Sequence, residues 1–207
     1  MAVNQRRAGA IISMIYSASQ AIIGLLYVPL LLNGIGSSEY GLYQMVGSVI
    51  AYLSIAGTTL SSGITRYYCK FYAEGDAEGM DNTLGIAKRF YRIASPLILL
   101  ATLVMGVVFR IVYQGSLTAH ELDESVLMLA ILAVNLLVTM QNTISNAVLS
   151  AHERFVLMNG ILLGSAILQP VLVIALVNIF PHAAAITAIQ LLLNCAVWRL
   201  QAHYAKT

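Results

Sequence analysis

A cluster of basic residues follows the second long apolar stretch and suggests the clearest chemistry in this sequence. Its members are Arg66, Lys70, Lys88, Arg89 and Arg92. Such clusters attract anionic lipid head groups by about 1 kcal/mol per basic residue, so this one could gather a lipid pyrophosphate. Alternatively, these residues only mark the cytoplasmic side of a membrane protein, where Lys and Arg accumulate in any case. We expect Arg66 to be the main head-group contact, with Lys70 one turn further on.

Uncharged polar residues lie inside the apolar stretches and form a second candidate site. Ser13, Ser17 and Gln20 are spaced by four and three residues, so they share one face of a helix. They could line a hydrophilic cavity that accepts sugar hydroxyls. They could equally form hydrogen bonds between helices, which stabilise membrane bundles by about 0.6 kcal/mol each.

Two further helix faces could likewise either line a cavity or pack against another helix. One is small and hydroxylated, and it comprises Gly47, Ala51, Ser54, Thr58, Ser61 and Thr65. Small residues of this kind let a second helix approach closely. The other is a polar stripe of Asn135, Thr139, Asn142 and Asn146. Amides along one face must meet protein or water, because leaving them unpaired in hydrocarbon is costly.

The sequence contains no pattern typical of catalysis or metal binding. The four histidines are scattered, and none pairs with a cysteine or carboxylate at the spacing of a metal site; they are His120, His152, His182 and His203. Nucleophile-elbow, phosphate-loop and HExxH motifs are absent. We therefore expect neither an enzyme nor a metal or other cofactor, and no nucleic-acid partner.

Composition identifies the class of protein that must position these residues. Of 207 residues, 59% are hydrophobic and only 10% are charged, and the mean hydropathy is +0.80. Soluble domains carry about 25% charged residues, so the chain is predicted to be an all-α, polytopic membrane protein. Uncharged stretches such as 41–65 can cross a ~30 Å hydrocarbon core at ~1.5 Å per residue. Six spans are predicted in one domain, at residues 8–32, 40–65, 93–113, 126–149, 156–180 and 183–200.

The basic residues predict how these spans are oriented. With six spans, ten of the eleven Lys and Arg residues lie on one side, and only Arg110 lies near the other. This asymmetry indicates that both termini are cytoplasmic. Between the spans, residues 33–38 are predicted to form a tight loop. Residues 81–92 are predicted to form a short interfacial helix capped by Asp81, and Pro96 is expected to bend the helix that follows.

The first third of the chain also resembles a known family. The pattern is PLLL at the end of the first span, a glycine-containing loop, EYGLYQ, a small-residue helix, TRYY and AEGD. In this order it resembles the start of Wzx-type polysaccharide flippases, which handle O-antigen repeat units and belong to the multidrug/oligosaccharidyl-lipid/polysaccharide exporter superfamily. Beyond about residue 92 the resemblance rests on the spacing of the spans.

The resemblance implies a MATE-like fold, in which two six-helix lobes enclose a central cavity. It also implies that undecaprenyl-pyrophosphate-linked oligosaccharide is flipped across the bacterial inner membrane by alternating access, for lipopolysaccharide and other surface polysaccharides. The six spans correspond to the N-terminal lobe only. We therefore expect the partners to be this lipid-linked oligosaccharide, membrane lipids, and a second six-helix lobe or a second copy of the chain.

Other functions remain open from the sequence. The chain could be a non-transporting fragment of such a lobe, or an assembly subunit of a polysaccharide machine. Cation-coupled multidrug exporters of the same superfamily place a carboxylate in the first helix of this lobe. The six predicted spans contain no acidic residue, which disfavours an exporter of that kind.

Overall fold

The protein is a bundle of long helices, confirming the predicted all-α class. A computed structural model describes residues 2–177 and 182–206, and of residues 2–4, 6, 56–60 and 177 it describes only the backbone. The helices are α1 (Ala2–Glu74), α2 (Ala77–Tyr113), α3 (Ala119–Ala151), α4 (Phe155–Val177) and α5 (Ala183–Lys206). Each contains a stretch long and apolar enough to cross a membrane. The end of the fifth predicted span, 178–180, lies outside the described residues.

A single glycine divides α1 into two helical segments, so the bundle has six. Gly36 has φ 83° and ψ 167°, a backbone conformation open only to glycine. The first segment (residues 2–35) and the second (residues 37–74) pack against the same core cluster through Tyr27 and Tyr43. The chain therefore reverses direction at Gly36. The loop predicted at residues 33–38 is much shorter than expected, because helix continues to both sides of this one residue.

The polar stretch before the third span also differs from the prediction. Residues 81–92 do not form a separate interfacial helix, because α2 runs without interruption from Ala77 to Tyr113. The cap is Asp76, not Asp81, and its carboxylate accepts a hydrogen bond from the Gly79 N–H at 2.9 Å. Pro96 lies inside α2 without ending it. The basic residues of α2 therefore lie on the same uninterrupted helix as the apolar segment that follows them.

Helix α3 is the centre of the bundle, packed mainly between α1 and α5. Two apolar clusters lie along it. One joins Leu31, Val46, Met128 and Ile186. The other joins residues of α1, α2 and α3, namely Ile64, Tyr68, Ala87, Tyr91 and Met140. Burial of these side chains holds the helices in a fixed register along the whole length of α3.

Long-range contacts define the two ends of the bundle. At one end Asn159 Nδ2 donates to the Gly9 carbonyl at 2.9 Å, and Arg154 donates to the Tyr204 carbonyl, also at 2.9 Å. This end, called the basic end, carries both ends of the described chain and the basic residues of the predicted asymmetry. The opposite end, called the carboxylate end, carries Glu39, Glu121 and Glu124. Arg110 lies there as well, 2.6 Å from Asp123.

Candidate functional site

A groove between α2 and α3 has a cationic mouth at the basic end. Its volume is about 470 Å³, and it is lined by Lys88, Arg92, Ser95, Gln141 and Ile144. The Ser95 hydroxyl donates to the Tyr91 carbonyl at 2.6 Å, so it lies close to the α2 backbone. The two cations are both exposed. They are therefore available to an anionic group that enters from the membrane surface.

The same pair of helix faces continues towards the carboxylate end as an apolar groove. Leu99, Thr102 and Gly106 of α2 follow Ser95 at helical spacing. On α3, Ala133, Ala130 and Val126 form the facing wall of this section, which has a volume of about 460 Å³. At ~1.5 Å per residue the helix rises ~16 Å from Leu99 to Arg110, the α2 residues at the two ends of this section. The apolar groove is thus longer than half of a ~30 Å hydrocarbon core.

This combination fits an amphiphile with an anionic head group. Arg92 offers a planar guanidinium that can bind two phosphate oxygens at once, and Lys88 offers a compact positive charge. The adjoining apolar walls can cover a hydrocarbon chain that lies along the groove. Among the five basic residues singled out from the sequence, the structure places only Lys88 and Arg92 in the lining of this groove.

Arg66 and Lys70, the preferred head-group contacts from the sequence, lie elsewhere on the basic end. Ile64 and Tyr68 point into the core, and Arg66 lies between them in sequence, on the opposite, exposed face of the helix. Lys70 is exposed and 3.9 Å from Glu74, one turn away on the same helix. The structure therefore does not bring these two residues to the groove.

The polar face of the first α1 segment is open along most of its length. Ser13 is half-buried, whereas Ser17 and Gln20 are exposed. Gln20 Nε2 donates to the Tyr16 hydroxyl at 2.9 Å on the same helix. The surrounding surface is apolar, with Met14 74% and Leu25 77% exposed. A polar amide in such a surface is unfavourable next to lipid, so this face needs a protein or water neighbour.

The hydroxylated face of the second α1 segment is occupied by local contacts. The Ser54 hydroxyl donates to the Ala51 carbonyl at 2.7 Å, and the Thr65 hydroxyl donates to the Ser61 carbonyl at 3.0 Å. Ser54 and Ser61 are half-buried. The side chain of Thr58 lies outside the described residues. These bonds satisfy both hydroxyl donors within one helix. A Cβ atom at Gly47, on the same face, would meet nothing within 4 Å, and Ala51 is exposed, so no second helix approaches closely at these two positions.

The asparagine stripe on α3 joins two helices. Asn194 Nδ2 on α5 donates to Asn135 Oδ1 at 2.7 Å, which supports interhelical bonding at that position. Asn142 and Asn146 lie on the same face of α3 as Asn135. Their buried Oδ1 atoms have no hydrogen-bond partner among the described residues. Thr139 is exposed, and its hydroxyl donates to the Asn135 carbonyl at 2.9 Å, so it lies apart from the interhelical contact.

A carboxylate cluster at the opposite end was missed from the sequence. Glu39 Oε2 accepts from the Ala183 N–H at 2.9 Å, and Glu124 Oε1 accepts from the Ala184 N–H at 3.2 Å. Both thereby satisfy N–H groups at the start of α5. Burial raises the pKa of the Glu39 carboxyl, and the charge of Glu124 raises it further although the Ala183 hydrogen bond opposes this. Glu39 and Glu124 lie just outside the predicted spans and far apart in sequence, so no local pattern indicated the pairing.

The chain has no significant match among protein-family models, curated proteins or solved structures. The resemblance to polysaccharide flippases therefore rests on the residues quoted for it.

Proposed function

We propose that this protein is one lobe of a flippase that moves a lipid-linked oligosaccharide across the bacterial inner membrane. The observation that carries the proposal is the groove between α2 and α3. Its mouth presents Lys88 and Arg92, and an apolar section between the same two helices extends from Leu99 to Arg110. A polyprenyl pyrophosphate carrying a glycan has the matching chemistry, because its head is anionic and its chain is apolar.

In this mechanism the cationic mouth holds the pyrophosphate at the membrane surface. The lipid chain follows the apolar groove and stays in contact with the bilayer. The glycan is bulky and hydrated, so it needs a polar path that one helix bundle alone does not enclose. Transporters built from repeats form such a path between two repeats and open it by rocking one against the other.

The open polar face of α1 supports a second lobe as the partner. Ser17 and Gln20 are exposed within an otherwise apolar surface. A second six-helix lobe, or a second copy of this chain, would cover this face and place these polar groups beside the glycan path. A non-transporting assembly subunit of a polysaccharide machine would also cover the face, but it would have no use for the groove.

The first test is complementation of a strain that lacks its polysaccharide flippase. We expect the 207-residue chain, as a monomer, to leave surface polysaccharide absent, because nothing then covers its α1 face. Co-expression with a matching six-helix lobe should restore the polysaccharide, measured by gel analysis of the surface glycan. Restoration by a chain shown to be monomeric would refute the two-lobe mechanism. An assembly subunit, in contrast, would restore nothing with any second lobe.

Orientation in the membrane is a separate prediction. The basic end carries both ends of the described chain, and the proposal places this end in the cytoplasm because basic residues accumulate there. Reporter fusions after Gly115 and after Lys206 should therefore report periplasm and cytoplasm, respectively. If both fusions report the same compartment, the six-helix arrangement in the membrane is wrong.

A further inference from the structure

The carboxylate end brings together residues from three elements that are distant in sequence. Glu39 lies in the second α1 segment, Glu124 lies near the start of α3, and His182 precedes α5. One ligand atom of each lies within 4.8 Å of those of the other two. His120, one turn before Glu124 on α3, has its Nδ1 atom 3.9 Å from Glu124 Oε2, and its ring centre is 6.0 Å from that of His182.

Glu124 is the buried centre of this group. The residue is 7% exposed, and its Oε1 atom is engaged by the Ala184 N–H. Its Oε2 atom is buried and has no hydrogen-bond partner within the described residues. Both His120 Nδ1 and His182 Nδ1 lie 3.9 Å from this oxygen. A buried carboxylate oxygen without a partner is costly, and here it faces two imidazole nitrogens that are too distant to hydrogen-bond.

The cluster combines carboxylates with imidazoles. Two carboxylates meet, and the neighbouring groups on α3 and before α5 are imidazoles. The nearby guanidinium of Arg110 is engaged by Asp123 at 2.6 Å. A cation between the carboxylates and imidazoles would supply the missing partner of Glu124 Oε2.

We propose that Glu39, Glu124 and His182 bind a divalent transition metal of the Zn²⁺ class, with His120 as the fourth ligand. Zn²⁺ takes imidazole nitrogen and carboxylate oxygen at ~2.0–2.2 Å in a tetrahedral arrangement, which places neighbouring ligand atoms about 3.3–3.6 Å apart. The separations of His120 Nδ1 and His182 Nδ1 from Glu124 Oε2, both 3.9 Å, are slightly longer than this range, and the ligand atoms of Glu39, Glu124 and His182 lie within 4.8 Å of one another. Both imidazoles are exposed, so their side chains have room to move towards a bound ion. Mixed nitrogen and oxygen ligands also distinguish this site from the oxygen-only sites of Mg²⁺ and Ca²⁺.

The metal would fasten the carboxylate end of the bundle. It would link the second α1 segment, α3 and the start of α5, in addition to the hydrogen bonds from Ala183 to Glu39, from Ala184 to Glu124 and from Ser38 to Glu121. The proposal is independent of the transported lipid, because the site lies at the end opposite to the groove mouth.

The test uses the full chain, purified in detergent without a histidine tag and stripped of metal with a chelator. Titration with Zn²⁺ should show one saturable site by calorimetry, and Co²⁺ should give the visible absorption of a tetrahedral complex that Zn²⁺ abolishes. His182→Ala should weaken Zn²⁺ binding about 100-fold, since loss of outer-shell partners alone costs 10–100-fold. His182 is half-exposed at its side chain (51%), so this variant should fold.

Two further variants make the result decisive. Glu124→Gln keeps an acceptor for the Ala184 N–H and should also weaken binding about 100-fold. His152→Ala is the matched control, because His152 is exposed at the opposite end beside Tyr72, and it should bind Zn²⁺ like the parent. The proposal is overturned if the parent shows no saturable site. It is equally overturned if His182→Ala and His152→Ala bind Zn²⁺ with the same affinity. That result would mean that the metal binds adventitiously at the surface and that the two carboxyl groups share a proton instead.

Discussion

Replacing Lys88 and Arg92 together with glutamate should weaken binding of a phosphate-bearing polyprenyl lipid about 1,000-fold. Each basic residue near the membrane surface attracts an anionic head group by about 1 kcal/mol. The double replacement removes two attractive charges and adds two repulsive ones at the groove mouth. The change is therefore roughly 4 kcal/mol, and every 1.4 kcal/mol is a tenfold change in affinity. Titration of the purified chain with a polyprenyl pyrophosphate, in micelles of an uncharged detergent, measures this effect.

A control with the same change in charge isolates the groove. Arg66 and Arg89 are also exposed at the basic end, but neither lines the groove. Replacing both with glutamate changes the charge of the chain by the same amount as the groove variant. This control should weaken binding by about tenfold or less, because only screened, long-range attraction is lost. Equal weakening by the two double variants would mean that the basic end attracts lipid through its general charge and that the groove has no specific role.

Gly9→Leu should unfold the junction between the first α1 segment and α4. A Cβ atom at Gly9 would lie 2.5 Å from Phe155 Cβ, and both atoms belong to rigid parts of packed helices. Adding even one carbon to a packed contact costs about 1–3 kcal/mol. A leucine adds three more carbons, so the helices must separate and the hydrogen bond from Asn159 to the Gly9 carbonyl is lost. We expect a large fall in the midpoint of thermal unfolding in detergent, with Gly9→Ala intermediate.

The matched control for Gly9 lies on the same helix. A Cβ atom at Gly24 would have no neighbour within 4 Å, so Gly24→Leu should leave the unfolding midpoint near that of the parent. Alanine should even favour the helix slightly at this position. If Gly9→Leu and Gly24→Leu unfold at the same temperature, the close contact between α1 and α4 does not hold the bundle together.

Helix boundaries were predictable only where local chemistry determines them. The turn at residues 33–38 contains Gly36, and the structure breaks the helix at that glycine because only glycine adopts its backbone angles freely. The boundary near Asp81 was wrong. Asp76 and Asp81 are both good N-cap residues, and periodicity does not distinguish them. Asp76 is the cap because the chain turns at Gly75, with φ 71°, directly before it.

The contacts of the polar residues were also predictable only in part. The sequence indicated that the α3 asparagines must face protein or water, and Asn135 does bond to Asn194 of α5. The sequence could not name the partner, because the register between two helices depends on the packing of all their neighbours. Nor could it separate Lys88 and Arg92 from Arg66 and Lys70, since all four lie in one basic stretch. Which cations line a groove depends on how far each helix is rotated against α3.

By itself, the sequence determined the all-helical class, the six apolar segments and the collection of basic residues on one side. These properties depend on composition and on residue spacing along the chain. A helix in hydrocarbon must form all of its backbone hydrogen bonds internally, and basic residues accumulate on one side of the membrane. Only the tertiary structure decided that Glu39, Glu124 and His182 meet, and that α2 and α3 leave a cationic groove at Lys88 and Arg92 and an apolar groove from Leu99 to Arg110. Such contacts join residues far apart in the chain. They follow from side-chain packing between helices, and no local periodicity contains that information.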